Sequence, residues 1–86
     1  MKWDDVSFVL RSVQRKKIIL VLETPLTPTY IAKKTGISLS NIGTKVGDLK
    51  KKGIVKCLTP NVRKGKIYGL TKDGKQILEK IKKMEK

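Results

Sequence analysis

"TPTYIAKKTGISLSNIGTKVGDLKKKG", residues 27–53, carries the reading on which the fold turns. Thr27 followed by Pro28 is a helix N-cap with proline at the first helical position, where its missing N–H costs nothing. The spacing predicts a short helix over about 28–35, with Ile31 and Ala32 facing inward and Gly36 ending it. Ser38 then caps a longer helix over about 39–52, with apolar positions at Leu39, Ile42, Val46 and Leu49. Gly53 supplies a residue that can turn the chain left-handed at the end of that helix.

Upstream, Asp4 and Asp5 suit a helix N-terminus, and Val6, Val9, Leu10 and Val13 recur at helical spacing. Ser12 can cap a second helix carrying Ile18, Ile19, Val21 and Leu22. Two helices and one bent helix both fit this stretch. "ETPLTPT" then breaks the pattern at two prolines. Downstream, the period shifts to two: Val55-Lys56-Cys57 alternates, as does Tyr68-Gly69-Leu70. The basic loop between them makes a hairpin. Thr71 caps a last helix with Asp73 in its first turn and an apolar stripe of Ile77, Leu78, Ile81 and Met84. Only the last few lysines are expected to fray.

The composition narrows the function. The 86 residues amount to one domain, with little room for an enclosed active site. The formal charge is +14, which points to a polyanionic partner. Residues 33–66 hold ten basic side chains against one acidic, a net of +9, so the excess sits with the stretch quoted above. There is no histidine and a single cysteine, so His-based catalysis, the usual metal sites and an internal disulfide lose their residues. No phosphate-cradling glycine loop is present either. The expectation is a protein that is not an enzyme and uses no cofactor and no metal. The longest apolar run, Ile18–Leu22, is far short of the roughly 18 residues that span a membrane. The opening Met1-Lys2-Trp3-Asp4-Asp5 is acidic where a signal peptide is basic. The expected setting is therefore cytoplasmic and nucleoid-associated, without a membrane partner.

Short helix, glycine turn and longer helix make a helix-turn-helix, whose second helix can lie in the major groove of double-stranded DNA. The fold class is α+β, mostly helical: a winged helix-turn-helix with a two-stranded β-hairpin wing and a C-terminal helix. It is read as one domain over 1–86, with the helix-turn-helix at about 28–52, the wing at about 54–70 and the last helix at about 72–85. The stretches "TPTYIAKKTGISLSNI", "DLKKKGIV" and "LTKDG" resemble the winged helix-turn-helix transcriptional regulators, above all the small archaeal members related to MarR and ArsR proteins. The resemblance runs from about Ser12 to Ile81 and implies a recognition helix at 39–52 and a wing loop at 60–65. Gly43 and Gly47 depart from the pattern, since recognition helices of this kind often carry serine and arginine there. Close approach to another backbone and tolerated drift both account for them.

Within that frame, Ser38, Ser40, Asn41, Thr44 and Lys45 form the expected DNA-reading face, with asparagine suited to adenine. Ser38 and Ser40 also favour a helix start on their own account. Asp48 is expected to pair with Lys45 or Lys52 on the same surface. Arg63, Lys64 and Lys66 are the expected wing contacts, and Lys33 and Lys34 the supporting ones. Lys50, Lys51 and Lys52 stand at a helix C-terminus, where the dipole favours cations whether or not DNA is near. Trp3, Val6, Ile77, Ile81 and Met84, with Val9 beside them, are the expected homodimer interface. Cys57 is expected to be buried and structural, and Tyr68 to belong to the core. A sequence-specific regulator is the first reading of function. A DNA-architectural protein of low sequence specificity and a winged-helix module that binds protein or RNA are the alternatives.

Overall fold

The computed structural model describes residues 3–84. Five helices and one antiparallel hairpin follow in the order α1 (Trp3–Leu10), α2 (Val13–Val21), α3 (Pro28–Thr35), α4 (Leu39–Lys51), β1 (Val55–Cys57), β2 (Tyr68–Leu70) and α5 (Lys72–Met84). This is the α+β arrangement of a winged helix-turn-helix. Residue 85, the expected end of the last helix, lies outside the described residues, as do Met1, Lys2 and Lys86.

The N-terminal segment is two helices. Ser12 leaves the helical conformation, and its hydroxyl accepts from the Arg15 amide at 3.3 Å, which starts α2. Arg15 reaches back across the break. Its guanidinium stacks 3.8 Å from the centre of the Phe8 ring and donates to the Phe8 carbonyl at 2.9 Å, one of the carbonyls left unpaired at the end of α1.

The two helices of the quoted stretch end as their glycines require. Gly36 adopts φ 75°, and its amide returns to the Ala32 carbonyl at 2.9 Å. Thr35 ties the turn by donating to the Ile31 carbonyl at 2.7 Å and accepting from the Ile37 amide at 3.3 Å. At the end of α4, Gly53 has φ 75°, and its amide bonds to Lys50 while that of Ile54 bonds to Leu49, both at 3.0 Å. That pair of bonds, with Leu49 and Ile54 fully buried, is the Schellman closure of a helix.

The hairpin pairs Val55 with Leu70, Lys56 with Gly69 and Cys57 with Tyr68. Tyr68 also exchanges two backbone hydrogen bonds with Leu26, at 2.9 and 3.0 Å, so the α2–α3 link acts as a one-residue third strand. Sequence reading missed this, because one bridging residue between Pro25 and Thr27 has no alternation to detect.

Every element feeds one core. Val6 and Val9 of α1, Ile18 and Ile19 of α2, Ile31 of α3, Ile42 and Leu49 of α4, and Ile77 and Ile81 of α5 are all fully buried. Each such side chain contributes about 1.5–3 kcal/mol by leaving water. The "LTKDG" stretch joins the hairpin to this core. Leu70 is buried, the Thr71 amide donates to the Ile54 carbonyl at 3.0 Å, and the Thr71 hydroxyl lies 2.6 Å from the Gly53 carbonyl. The same hydroxyl accepts from the Gly74 amide at 3.1 Å, capping α5. A Cβ on Gly74 would run into the Ile54 carbonyl oxygen, so the close approach of helix and strand requires glycine.

Three expectations about the core need correction. Leu39 is 56% exposed, since it is the first residue of α4 and the buried stripe begins with Ile42. Cys57 is half-buried and not enclosed, because a two-stranded hairpin leaves its outer pair partly open to water, while Tyr68 packs against the core as expected but is also only partly buried. Val6, Val9, Ile77 and Ile81 face the chain's own core and do not form a solvent-facing seam. Of the expected interface, Trp3 and Met84 remain exposed.

Candidate nucleic-acid interface

The buried side of α4 is Ile42, Val46 and Leu49, so the opposite side faces solvent by helical geometry. Ser38, Ser40, Asn41 and Thr44 are exposed there, and Lys45 is half-buried. Their hydrogen-bonding capacity is unequal. The Ser38 hydroxyl accepts from the Asn41 amide at 3.4 Å as the helix cap and lies 3.4 Å from the Ser40 hydroxyl. Thr44 donates back to the Ser40 carbonyl at 3.3 Å. The Asn41 carboxamide has no hydrogen-bond partner among the described residues. It is the group in this set whose donors and acceptor are all open to an incoming base edge.

The wing extends beyond the short strands. The Leu58 amide donates to the Ile67 carbonyl at 2.7 Å, and the Ile67 amide donates to the Thr59 hydroxyl at 3.0 Å. These bonds hold the arms together up to a tip that carries exposed Arg63 and Lys64, with Lys66 half-buried at its base. Between the wing and the helix-turn-helix lies an open cleft of about 380 Å³, lined by Thr29, Leu39, Gly43, Arg63, Lys66 and Tyr68 among others. The structure thus brings one end of α4 and the wing to the two sides of one groove.

The remaining lysines are sorted by their neighbours. Lys33 and Lys34 are exposed on α3, with the Lys33 ammonium 5.6 Å from the centre of its own helix's Tyr30 ring. Lys52 lies 5.1 Å from the Phe8 ring centre, on the ring that Arg15 also covers, so its charge has a structural position. Lys50 and Lys51 are exposed at the favourable end of the helix dipole. Asp48 forms no ion pair with Lys45 or Lys52 among the described residues. On α5, the Lys80 ammonium lies 5.7 Å from the Trp3 ring centre, which sets exposed Trp3 beside the helix face that ends in exposed Met84.

Sequence reading assigned the polar face and the basic tip, and it missed the wall between them. Periodicity alone puts Leu39 in the core. The signal for Gly43 was present, since a glycine inside a helix needs a reason. Among the described residues, no group of three or more His, Cys, Asp or Glu side chains could hold a metal ion, and no helix is long and apolar enough to cross a membrane.

Solved structures share this fold. Wild-type MarR from E. coli in its apo form superposes with a TM-score of 0.77 at 23% identity, over 93% of this chain and 62% of MarR. The homodimeric winged helix-turn-helix DNA-binding domain of a possible ArsR-family transcriptional regulator from Mycobacterium bovis gives 0.75 at 19% identity, over 95% and 76%. FabT from Streptococcus pneumoniae in complex with DNA gives 0.70 at 20%, over 99% and 55%. The chain spans less than two thirds of the length of MarR and of FabT. No protein-family model matches the chain, and no curated protein matches it.

Proposed function

We propose that the chain is a sequence-specific, double-stranded DNA-binding transcriptional regulator that acts as a homodimer. Residues 1–86 form one winged helix-turn-helix unit, with α4 in the major groove and the basic wing on the backbone or in the minor groove. The observation that carries this reading is the placement of Asn41, with its carboxamide open, on the exposed face of a helix that shares a cleft with the wing bearing Arg63 and Lys66. The net charge of +14 supplies the attraction to phosphate, and the open polar side chains supply the means of discrimination. The likeness in fold to a DNA complex and to a homodimeric DNA-binding domain supports the same reading. Exposed Trp3 and Met84 are among the apolar groups available for pairing two copies. Such pairing would set two recognition helices about 34 Å apart or at a multiple of that spacing. In this reading the chain carries out no catalysis, needs no cofactor or metal, and acts at the nucleoid.

Selection of bound duplexes from a random pool tests the proposal and returns a motif if it holds. Asn41→Ala and Thr44→Ala should then each cost about 1–3 kcal/mol on the selected site and almost nothing on random duplex. Equal losses on both would move the reading face elsewhere on α4. High lysine content also favours an architectural protein, and strong binding without any recovered motif would decide for it. Absence of all duplex binding at low salt would point to a protein- or RNA-binding module instead.

A further inference from the structure

Gly43 sits in the interior of α4 without a reason inside the chain. Glycine is a poorer helix former than alanine there. Its φ is not in the left-handed region, unlike those of Gly36, Gly53 and Gly65. A Cβ built on it meets nothing within 4 Å. Neither backbone conformation nor internal packing therefore calls for the missing side chain. Gly47, one turn further along, is equally unconstrained from within. The two differ in what surrounds them: Gly43 lines the cleft between α4 and the wing, and Gly47 does not.

We propose that this cleft is the seat of one sugar-phosphate strand of duplex DNA, and that Gly43 is bare so that the strand can lie against the helix backbone. The inference rests on the DNA-binding reading above and adds a contact to it. A helix in the major groove and a wing in the adjoining minor groove have one strand between them, because that strand is the wall separating the two grooves. The space between α4 and the wing is this cleft. Its lining suits the occupant. Arg63 and Lys66 bring positive charge, no acidic residue lines it, and Thr29 adds a hydroxyl at the start of α3. Leu39, 56% exposed one turn before Gly43, and Tyr68 give apolar surface for the deoxyribose faces. A side chain at position 43 would project into the space the strand needs.

The test compares wild type, Gly43→Ala and Gly47→Ala in two measurements: thermal unfolding, and fluorescence anisotropy titration of a random-sequence duplex at low salt and of a duplex recovered by selection. Both variants should melt higher, by roughly 4 °C, since alanine is the better helix former and both sites have room. Only Gly43→Ala should bind more weakly, by about tenfold, the cost of forcing a methyl group into a packed contact. The loss should be equal on both duplexes, because a backbone contact carries no sequence information. Wild type that binds, beside a Gly43→Ala variant that binds as well, overturns the cleft and leaves the functional reading standing. Wild type that binds no duplex overturns both. A loss confined to the selected duplex would move Gly43 to a base edge and overturn the strand assignment. Equal losses at Gly43 and Gly47 would do the same in favour of the whole helix face. A lowered melting temperature for Gly43→Ala would overturn the claim that nothing inside the chain needs the glycine.

Discussion

At the start of α5, a Cβ on Gly74 would run into the Ile54 carbonyl oxygen and crowd the Leu70 Cβ at 3.1 Å. In the interior of α4, a Cβ on Gly43 would meet nothing within 4 Å. Both residues are helical glycines in an 86-residue chain, and the sequence presents them alike. The region around Gly74 is closed by the chain itself. Thr71 bonds back to Gly53 and Ile54, Leu70 is buried, and Ile77 and Ile81 continue the packing into the core. The region around Gly43 is closed by nothing in the chain, and polar side chains and two cationic ones border it. In the first region a substitution is judged by folding. In the second it is judged by what comes in from outside. Substitutions that separate folding from binding are therefore the way to break this division or to sharpen it.

The largest effect on folding belongs to Ile77. The apolar stripe of α5 predicts it at a dimer seam, and the fold buries it fully within the chain. Ile77→Ala should lose about 3 kcal/mol of stability through reduced burial and the cavity left behind. Met84→Ala, at a position 56% exposed, should stay within about 0.5 kcal/mol in the same urea titration. A loss below about 1 kcal/mol at Ile77 would mean that α5 turns this side chain outward, and the closed region would be smaller than described.

Gly74→Ala comes next, at about 2 kcal/mol of destabilisation despite the better helix propensity of alanine. The obstacle is backbone. The Ile54 carbonyl cannot move aside without disturbing the bonds it accepts from the Thr71 amide and hydroxyl. Urea unfolding of Gly74→Ala beside Gly43→Ala should give opposite signs. A gain in stability at Gly74 would show that the carbonyl yields, and the contrast between the two glycines would disappear.

Local signals made most of the fold legible. Thr27, Ser38 and Thr71 cap helices through bonds to amides three residues on, and Gly36 and Gly53 end helices through their own φ. Each of these acts within a few residues, so a short window of sequence contains it. What was not legible depends on partners far along the chain. An apolar stripe announces that Ile77 and Ile81 are covered, and says nothing of whether the cover is this chain or a second copy. Leu39 fits the helical period of α4, yet the period does not record that the first residue of the helix is left largely uncovered. The bridge from Leu26 to Tyr68 spans 42 residues and has no local mark. For the candidate site, exposure of Asn41, Arg63 and Lys64 could be read from the pattern. The cleft that sets α4 against the wing could not, since it exists only once the hairpin has folded back beside the helices.

The smallest effect on folding is expected at the wing tip. Arg63 and Lys64 are exposed and make no hydrogen bond or ion pair among the described residues, so replacing both with alanine should change stability by less than about 0.5 kcal/mol. The effect on binding should be of another order. A cation that neutralises a phosphate releases a counterion, so removing one such cation flattens the slope of log K against log salt by about 0.9. In a dimer both wings are altered, and up to about four phosphates could be left without their cation, for a slope change of about 3 to 4. Affinity should fall alike on selected and random duplexes if the wing tip meets phosphate. If Arg63 enters the minor groove, the fall should be greater where the flanks are A·T-rich, because a narrow groove concentrates negative potential. Titration of wild type and double variant across several salt concentrations, with urea unfolding of both, reads the two effects separately. An unchanged slope in a variant of unchanged stability would take the wing tip off the binding surface. The phosphates would then fall to Lys33 and Lys34 on α3, and the cleft beside Gly43 would keep only one of its two walls against DNA.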